Sequence, residues 1–309
     1  MNIIKKKWEN LKYKLNFKYK IIDSEKFKKL TEEDVRYALE VQFKHELGCK
    51  LNLDNPKTFN EKIQWLKFYY RDPLMTKCTD KVAAREYIKD IAGEKYLVPC
   101  LGVYNKPNEI EFDKLPNQFI IKTNWGCRQN VACIDKSTFD VNDAITKLTK
   151  WVKPKMNFYY AHFEWQYKDI KPKIICEKFL LGKNGKFVQN YKFFCFNGKC
   201  KYLMTTAIRD RKRNFNFYDR NLNLQPFTYA NAVINKDIKL EVNNYEEMIS
   251  IAEKLAQPFP FVRVDLYEDS SNNVYVGELT FTPFSGTVPF NPFEWDYKFG
   301  ELLNLPQKS

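Results

Sequence analysis

The sequence predicts an α+β fold with its helices gathered at the amino-terminal side. Three observations carry this. Residues 31–70 repeat apolar side chains at helical spacing with no strand between them. Residues 172–206 read as a run of strands that turn at Asn197-Gly198, the strongest two-residue hairpin signal in the chain. Residues 261–280, FVRVDLYEDSSNNVYVGELT, read as two short strands joined by the polar turn Asp269-Ser270-Ser271-Asn272-Asn273. The helical region lacks the strand–helix alternation of a doubly wound dinucleotide-binding unit.

The hairpin at 261–280 organises the functional argument. Val262, Val264 and Leu266 alternate with Arg263, Asp265 and Tyr267. Val274 and Val276 alternate with Tyr275 and Gly277, and Glu278 and Thr280 continue the even-numbered face. A turn centred between Ser271 and Asn272 sets Asp265 opposite Glu278 and Arg263 opposite Thr280. Directly opposed residues have Cβ atoms roughly 4.5–5.5 Å apart. Two carboxylates that close repel unless a cation or a proton sits between them. Hard oxygen ligands suit Mg²⁺, which is commonly held by one or two carboxylates plus substrate phosphates. The alternative is an exposed hairpin with scattered charges.

Composition bounds the rest. A chain of 309 residues, 44% apolar and 16% aromatic, is globular and can hold two or three subdomains. Its net charge of +13 implies anionic partners: nucleotide phosphates, acidic sugars, nucleic acid or a membrane surface. Eight cysteines are scattered without a C-x-x-C pair, and His45 and His162 are the two histidines, so a zinc site is not expected. Several cysteines lie in apolar runs such as Ile174-Ile175-Cys176, as small core residues do in a reducing compartment. No stretch approaches the ~20 apolar residues of a membrane span, and the basic start lacks a signal-peptide core. The expected location is cytoplasmic.

Taken in order, residues 1–30 place Ile4, Trp8, Leu11 and Leu15 at helical spacing among lysines. Such a helix can lie on an anionic membrane surface at its inner face, or dock on its own domain. Thr31-Glu32-Glu33-Asp34 is a capping-box pattern, Gly48 ends the helix, and Thr58 or Asn60 can cap the next. Thr79-Asp80 precedes a further helix through Tyr87 and Ile88. Tyr96-Leu97-Val98 and Leu101–Tyr104 read as short strands. Phe119–Lys122 is a buried strand ending on a lysine, and Val131–Ile134 returns antiparallel. The loop between them, from Thr123 to Asn130, is a place to clamp phosphate with backbone amides and the Lys122 ammonium. The aromatic run 151–170 reads as core packing, with base or sugar stacking the alternative. Arg209–Arg213 is either a solvated cationic loop or a second phosphate clamp ending in Arg213. Asn244 caps a helix over 244–256. The expected organisation is a helical region over 1–74, a first α+β subdomain over 75–170 and a second over 171–309.

The ordered set of motifs resembles the ATP-grasp superfamily of carboxylate–amine ligases. It comprises Asp80-Lys81, Lys122, Glu177-Lys178-Phe179-Leu180, Arg263-Val264-Asp265 and Glu278-Leu279-Thr280. Three stretches carry a narrower resemblance, to the TupA-like ATP-grasp family associated with teichuronopeptide and capsular polysaccharide biosynthesis. They are Lys57–Lys67 (KTFNEKIQWLK), Tyr191–Lys199 (YKFFCFNGK) and Phe259–Tyr267 (FPFVRVDLY). The resemblance implies an ATP-grasp fold, two α+β subdomains clamping a nucleotide, behind a helical extension. It implies ATP and Mg²⁺ as cofactors, an anionic carboxylate such as a uronic acid as one substrate, and an amine as the other. Lys81 and Lys122 would contact phosphates, with Lys192 and Arg213 among the nucleotide-binding cations. Glu177 and the backbone from Lys178 through Phe179 to Leu180 would hold the adenine edge. Asp265 and Glu278 would ligate Mg²⁺, with Thr280 where the wider superfamily often has Asn. Arg263 would face the transferred phosphate and the acyl phosphate. Relatives carry a glycine- and serine-rich loop where this chain has Trp125–Asn130, so Arg128 would replace amides with charge. Asn190 stands where relatives often have an acid. The competing expectations are a glycosyltransferase of the same pathway, which would normally show an Asp-x-Asp after a strand, and a catalytically silent nucleotide-binding protein. Nucleic-acid binding through the net charge is the least expected.

Overall fold

The computed structural model describes residues 30–185, 187–209 and 211–308. The basic amphipathic stretch and its membrane reading lie outside the described residues. Helix α1 (Glu32–Leu47) starts as a capping box: Thr31 Oγ1 accepts from Asp34 N, and Asp34 accepts from Thr31 N. Gly48 ends it at φ 76°, where a residue with a Cβ is strained. Helix α2 (Phe59–Tyr69) has its own capping box, Thr58 with Glu61. Asn60 has a different task. Its N and Nδ2 each donate to Asp296 at 2.9 Å, and Nδ2 also donates to Val288 O, tying α2 to the C-terminal helix.

Gly300 of that helix packs on the start of α2 with no spare room. A Cβ there would sit 2.1 Å from Lys57 O, a backbone atom that cannot swing aside. Gly300→Ala is therefore expected to destabilise the protein by about 1–3 kcal/mol, the usual cost of overpacking. A urea melt of the two proteins checks this, and an unshifted midpoint would show that the helix moves freely.

Two short helices, α3 (Pro73–Thr79) and α4 (Ala84–Ile91), lead into the first sheet. Its strands are β1 (Cys100–Tyr104), β2 (Phe119–Thr123), β3 (Asn130–Cys133) and, after α5 (Val141–Trp151) and α6 (Phe158–His162), β4 (Ile174–Lys178). They pair antiparallel in the order β1-β4-β2-β3. Two sequence expectations change here. The strand at 174–178 does not join the following meander but inserts between β1 and β2, because Ile174 and Cys176 belong to the apolar cluster of Phe119 and Ile121. Residues 94–96 form a 3₁₀ turn, and Leu97 makes only an isolated bridge to Val276.

The second sheet contains β5 (Gln189–Phe196), β6 (Lys199–Arg209), β7 (Lys212–Tyr218), β9 (Phe261–Glu268) and β10 (Val274–Thr280), in the order β10-β9-β5-β6-β7. Asn197 and Gly198 make the β5–β6 turn with φ 48° and 77°. The short strand β8 (Thr228–Tyr229) pairs with β11 (Phe290–Asn291). Helix α7 (Tyr245–Ala256) covers one face of the sheet, packing Met248, Ile251, Ala252 and Leu255 against Phe193, Val262, Val264 and Leu266. α2 and the C-terminal helix α8 (Glu294–Leu302) cover the other with edge-on rings: Phe59, Phe194, Phe196, Phe261 and Phe299. Both faces of β5 are thus buried at its Phe196 end, which explains the unbroken Phe193–Phe196 run. Asn244 is the N-cap residue of α7, but its side chain makes no capping hydrogen bond. Its Nδ2 donates to Glu268 Oε1 and Asn272 O and fixes the β9–β10 turn.

Glu278 pairs with Asp265 and Thr280 with Arg263, as the sequence predicts. The route differs. Val274, Tyr275 and Val276 pair with Glu268, Tyr267 and Leu266, and the register slips by one residue at Gly277. This β-bulge reverses the facing of everything after it. Val274, Val276 and Leu279 all join the α7 core, while Glu278 and Thr280 turn to the opposite face beside Arg263. Continuous alternation would have driven Glu278 into the core. Gly277 permits the close pass: a Cβ there would lie 2.5 Å from the Tyr267 ring.

Candidate active site

Beyond the aromatic cluster, the same face of the second sheet changes from apolar to charged. It opens into a cavity of about 860 Å³ shared with the 124–129 loop and the 158–167 segment. Lys81, Arg128, Lys192, Arg213, Arg263, Glu278 and Thr280 all line it. These are sequence-predicted site residues from five separate segments.

Asp265 is the anchor. It is fully buried, and its carboxylate accepts from Arg263 Nε at 2.6 Å and Nη2 at 2.9 Å and also from Lys192 Nζ. Lys192 reaches it because the β5–β9 register sets the two residues opposite each other. Burial lowers the Lys192 pKa against the attraction of Asp265. Burial works the same way on Arg263, but Asp265 reverses it and raises the guanidinium. Arg263 Nη2 also reaches Glu278 Oε1 at 3.3 Å and Thr280 Oγ1 at 3.1 Å.

Glu278 is a third exposed and faces the cavity. Lys81 Nζ lies 3.6 Å from its Oε2 and donates to Gly126 O at 2.9 Å, joining the loop to the hairpin. Burial alone would raise the Glu278 pKa, but Lys81, Arg263 and Lys192 outweigh it and hold the carboxyl down at about 2. Arg128 is exposed with φ 58°, placed by a loop that passes closely at Gly126, where a Cβ would meet Gln129 Oε1 at 2.2 Å. Arg213 lies over the Phe215 ring at 5.8 Å.

The other predicted residues do not line this cavity. Glu177 is buried, and its two oxygens accept from Lys122 Nζ at 2.9 Å and from Arg85 Nη1 at 3.0 Å. Burial opposes the Lys122 ammonium, but Glu177 prevails and its pKa is raised. Lys178 N donates to Pro99 O, Phe179 is buried against Phe187, and Leu180 follows half-buried. This second cluster is linked to the first through Tyr267, which burial pushes up to about 12 while it senses Lys122, Glu278 and Asp265. Asn190 is paired with Tyr267 in the β5–β9 ladder, and its Oδ1 is buried without a hydrogen-bond partner.

Sequence reasoning missed Arg85, on a helix whose only visible pattern was its apolar face. It also missed the far wall of the cavity. Phe158, His162, Glu164 and Tyr167, read as part of a core-packing run, line it together with Thr79, Phe284 and Ser285. Phe284, Ser285 and Gly286 all have positive φ, between 49° and 61°. Gln64 Nε2 holds that strained turn by donating to Ser285 O and Gly286 O.

The donor set bears on a metal. Asp265, Glu278 and the Thr280 hydroxyl are hard oxygens, and among the described residues no further His, Cys, Asp or Glu joins them in a group of three or more. That fits Mg²⁺, which takes one or two carboxylates and completes its shell with water and phosphate. It does not fit a closed all-protein cage. Asp265 already shares its oxygens with Arg263 and Lys192, so Glu278 is the carboxylate presented to the cavity.

Among solved structures, D-alanine–D-alanine ligase from Bacillus anthracis is 18% identical with a TM-score of 0.41, over 72% of this chain and 64% of that one. The biotin carboxylase domain of Hydrogenobacter thermophilus 2-oxoglutarate carboxylase is 14% identical with a TM-score of 0.43, over 75% and 47%. N5-carboxyaminoimidazole synthetase from Staphylococcus aureus is 16% identical with a TM-score of 0.38, over 66% and 44%. The chain spans about half the length of the solved structures it matches. No curated protein matches it significantly. The sequence matches the TupA-like ATPgrasp family over residues 61–304, a range that takes in both sheets and every residue of the charged cluster. The chain belongs to the TupA-like ATP-grasp family.

Proposed function

We propose that this protein is an ATP-dependent carboxylate–amine ligase that forms an amide through an acyl phosphate. One observation carries the reading: a cavity where Lys81, Lys192 and Arg263 surround one half-buried and one buried carboxylate. Cations so placed suit the charge on a transferring phosphoryl group, whose chemistry depends on positioning and electrostatic stabilisation. Glu278, Thr280 and Asp265 would hold Mg²⁺, which would supply positive charge against the nucleotide phosphates. Arg263, fixed by two hydrogen bonds to Asp265, would face the acyl phosphate oxygens. Lys81 and Arg128 would steady the phosphates from the loop side. Lys122 and Glu177, with the backbone from Lys178 to Leu180, would hold the nucleoside end. Asn190 Oδ1, a buried acceptor without a partner, suits a ribose hydroxyl. A carboxylate such as a uronic acid of a surface polysaccharide or its precursor is the proposed acceptor. It is supported by family membership and by a cavity large enough for more than phosphates.

A glycosyltransferase reading calls for an Asp-x-Asp after a strand, and the nearest acidic pair in the chain is Glu268-Asp269. Glu268 accepts from Asn243 N and from Asn244 N and Nδ2, and Asp269 accepts from Ser271 N and Asn273 N. Both carboxylates serve the hairpin turn.

Titration calorimetry with ATP and MgCl₂ tests the proposal. Wild type should bind, and ligand at 100 times Kd should stabilise it by about 2.7 kcal/mol. Lys122→Met should lose more affinity than Arg128→Ala. Lys122 ends a buried strand and is held by Glu177, whereas Arg128 is exposed and must be ordered. A larger loss at Arg128 would show that the loop contact outweighs the one made by Lys122. Absence of ATP binding would sink the ligase, and binding without carboxylate-stimulated ADP release would leave a silent nucleotide binder.

A further inference from the structure

The cavity has two ends of opposite character. Three cations, Lys81, Lys192 and Arg263, gather near Glu278, whereas the far wall has one carboxylate, Glu164, beside Tyr167 and Phe158. Glu164 is 6% exposed and accepts from Thr282 Oγ1 at 2.8 Å. The buried cation nearby, Lys67, does not consume this carboxylate. An ammonium has three donors, and those of Lys67 go to Gln64 Oε1, Ser285 O and Ser285 Oγ. The Ser285 hydroxyl stands between the two charges and donates to Glu164, and with Thr282 this uses two of the roughly four acceptor sites of a carboxylate. A second observation points to a ligand here. Thr79 Oγ1 is buried, lines the same cavity and has no hydrogen-bond partner. Thr79 ends α3, which packs on both β10 and the 165–167 turn, and it lines the cavity together with Glu278 and Glu164. Tyr167 senses both of those carboxylates.

We infer that Glu164 and Thr79 form the seat of the amine substrate, received as an ammonium between the aromatic wall and the phosphate cluster. This rests on the ligase reading and deepens it. A primary ammonium donates to the Glu164 carboxylate and the Thr79 hydroxyl, and ring faces of Tyr167 and Phe158 favour the cation. The chemistry then balances. One ammonium proton passes to Glu164, and the freed nitrogen lone pair attacks the acyl carbon. The C–N bond forms, the C–O bond to phosphate breaks, and the leaving phosphate takes a second proton. The products are an amide, hydrogen phosphate and one proton, which leaves Glu164 for solvent. Burial raises the Glu164 pKa, as befits a proton acceptor at neutral pH.

Saturation-transfer NMR with three probes tests this on the full chain: benzylammonium, benzyl alcohol and benzoate. Wild type should bind benzylammonium at least tenfold more tightly than benzyl alcohol. Glu164→Gln should erase that preference and leave benzoate, drawn to the cationic end, within twofold. Because Glu164→Gln leaves Lys67 buried without its counter-charge, the double variant Lys67→Met/Glu164→Gln is measured beside it. Thr79→Val, which removes no charge, should weaken benzylammonium several-fold. Equal benzylammonium binding by wild type and the Glu164 variants overturns the seat, as does equal binding of ammonium and alcohol by wild type. ATP titration of the same samples separates the two proposals: loss of ATP binding in wild type falls on the ligase reading, whereas ATP binding without ammonium preference falls on the seat alone.

Discussion

Asp265→Asn should abolish ATP turnover and remove on the order of 3–5 kcal/mol of stability, the range for breaking one partner out of a buried ion pair. Asp265 has no exposed surface and is the common counter-charge of Arg263 and Lys192. A neutral amide leaves two buried cations facing each other across β5 and β9. The Asn amino group adds a donor where both neighbours are already donors. Arg263 would lose at least one of the two hydrogen bonds that set its fork, so the catalytic defect does not depend on the metal alone. Urea denaturation and ADP release together decide the matter. Wild-type stability would show that water or Glu278 replaces the carboxylate, and wild-type turnover would remove Asp265 from the site.

Glu278→Gln should also eliminate turnover in Mg²⁺, by at least about 10²-fold, the scale of losing one preorganised electrostatic contact. Its effect on stability should be much smaller, because the side chain is a third exposed and solvent can reach Lys81. The pH dependence has a definite sign. Three cations hold the folded-state pKa at about 2, below the ordinary carboxylate range, in spite of burial. The stabilisation from Glu278 is therefore fully present above that ordinary range. It is lost as pH falls through the acid region toward about 2. Wild type should lose stability over that interval more steeply than Glu278→Gln. Parallel curves would mean that Glu278 is not paired in solution, and unchanged turnover would remove it from the metal site.

Part of the charged cluster was legible in the chain because its residues sit on regular strands with a period of two. Arg263, Asp265, Glu278 and Thr280 could be paired from one hairpin, and the capping box at Thr31 could be read from four residues. These are local rules, decided by neighbours within one or two turns of chain. The Gly277 bulge was not legible. A glycine in a strand has several explanations, and only packing of the flanking valines against α7 selects the slip that sends Glu278 to the cavity.

Some of the same residues also hold partners that sequence could not reveal. Asp265, read as a metal ligand, is also the buried counter-ion of Lys192, a partner 73 positions away in the chain. Lys122 and Glu177, expected at different parts of a nucleotide, bind each other, with Arg85 as a third member.

The chain by itself determined the family, the helical caps and the charged hairpin, because each rests on residue type at fixed short spacing. Tertiary structure decided which charges meet. Coulomb attraction and desolvation depend on distance and burial, and both are set by sheet register and by which helix covers which face. The far wall shows the difference most clearly: Glu164 and Thr79 stand in unremarkable segments, and only the packing of α3 on β10 and the 165–167 turn makes them one surface.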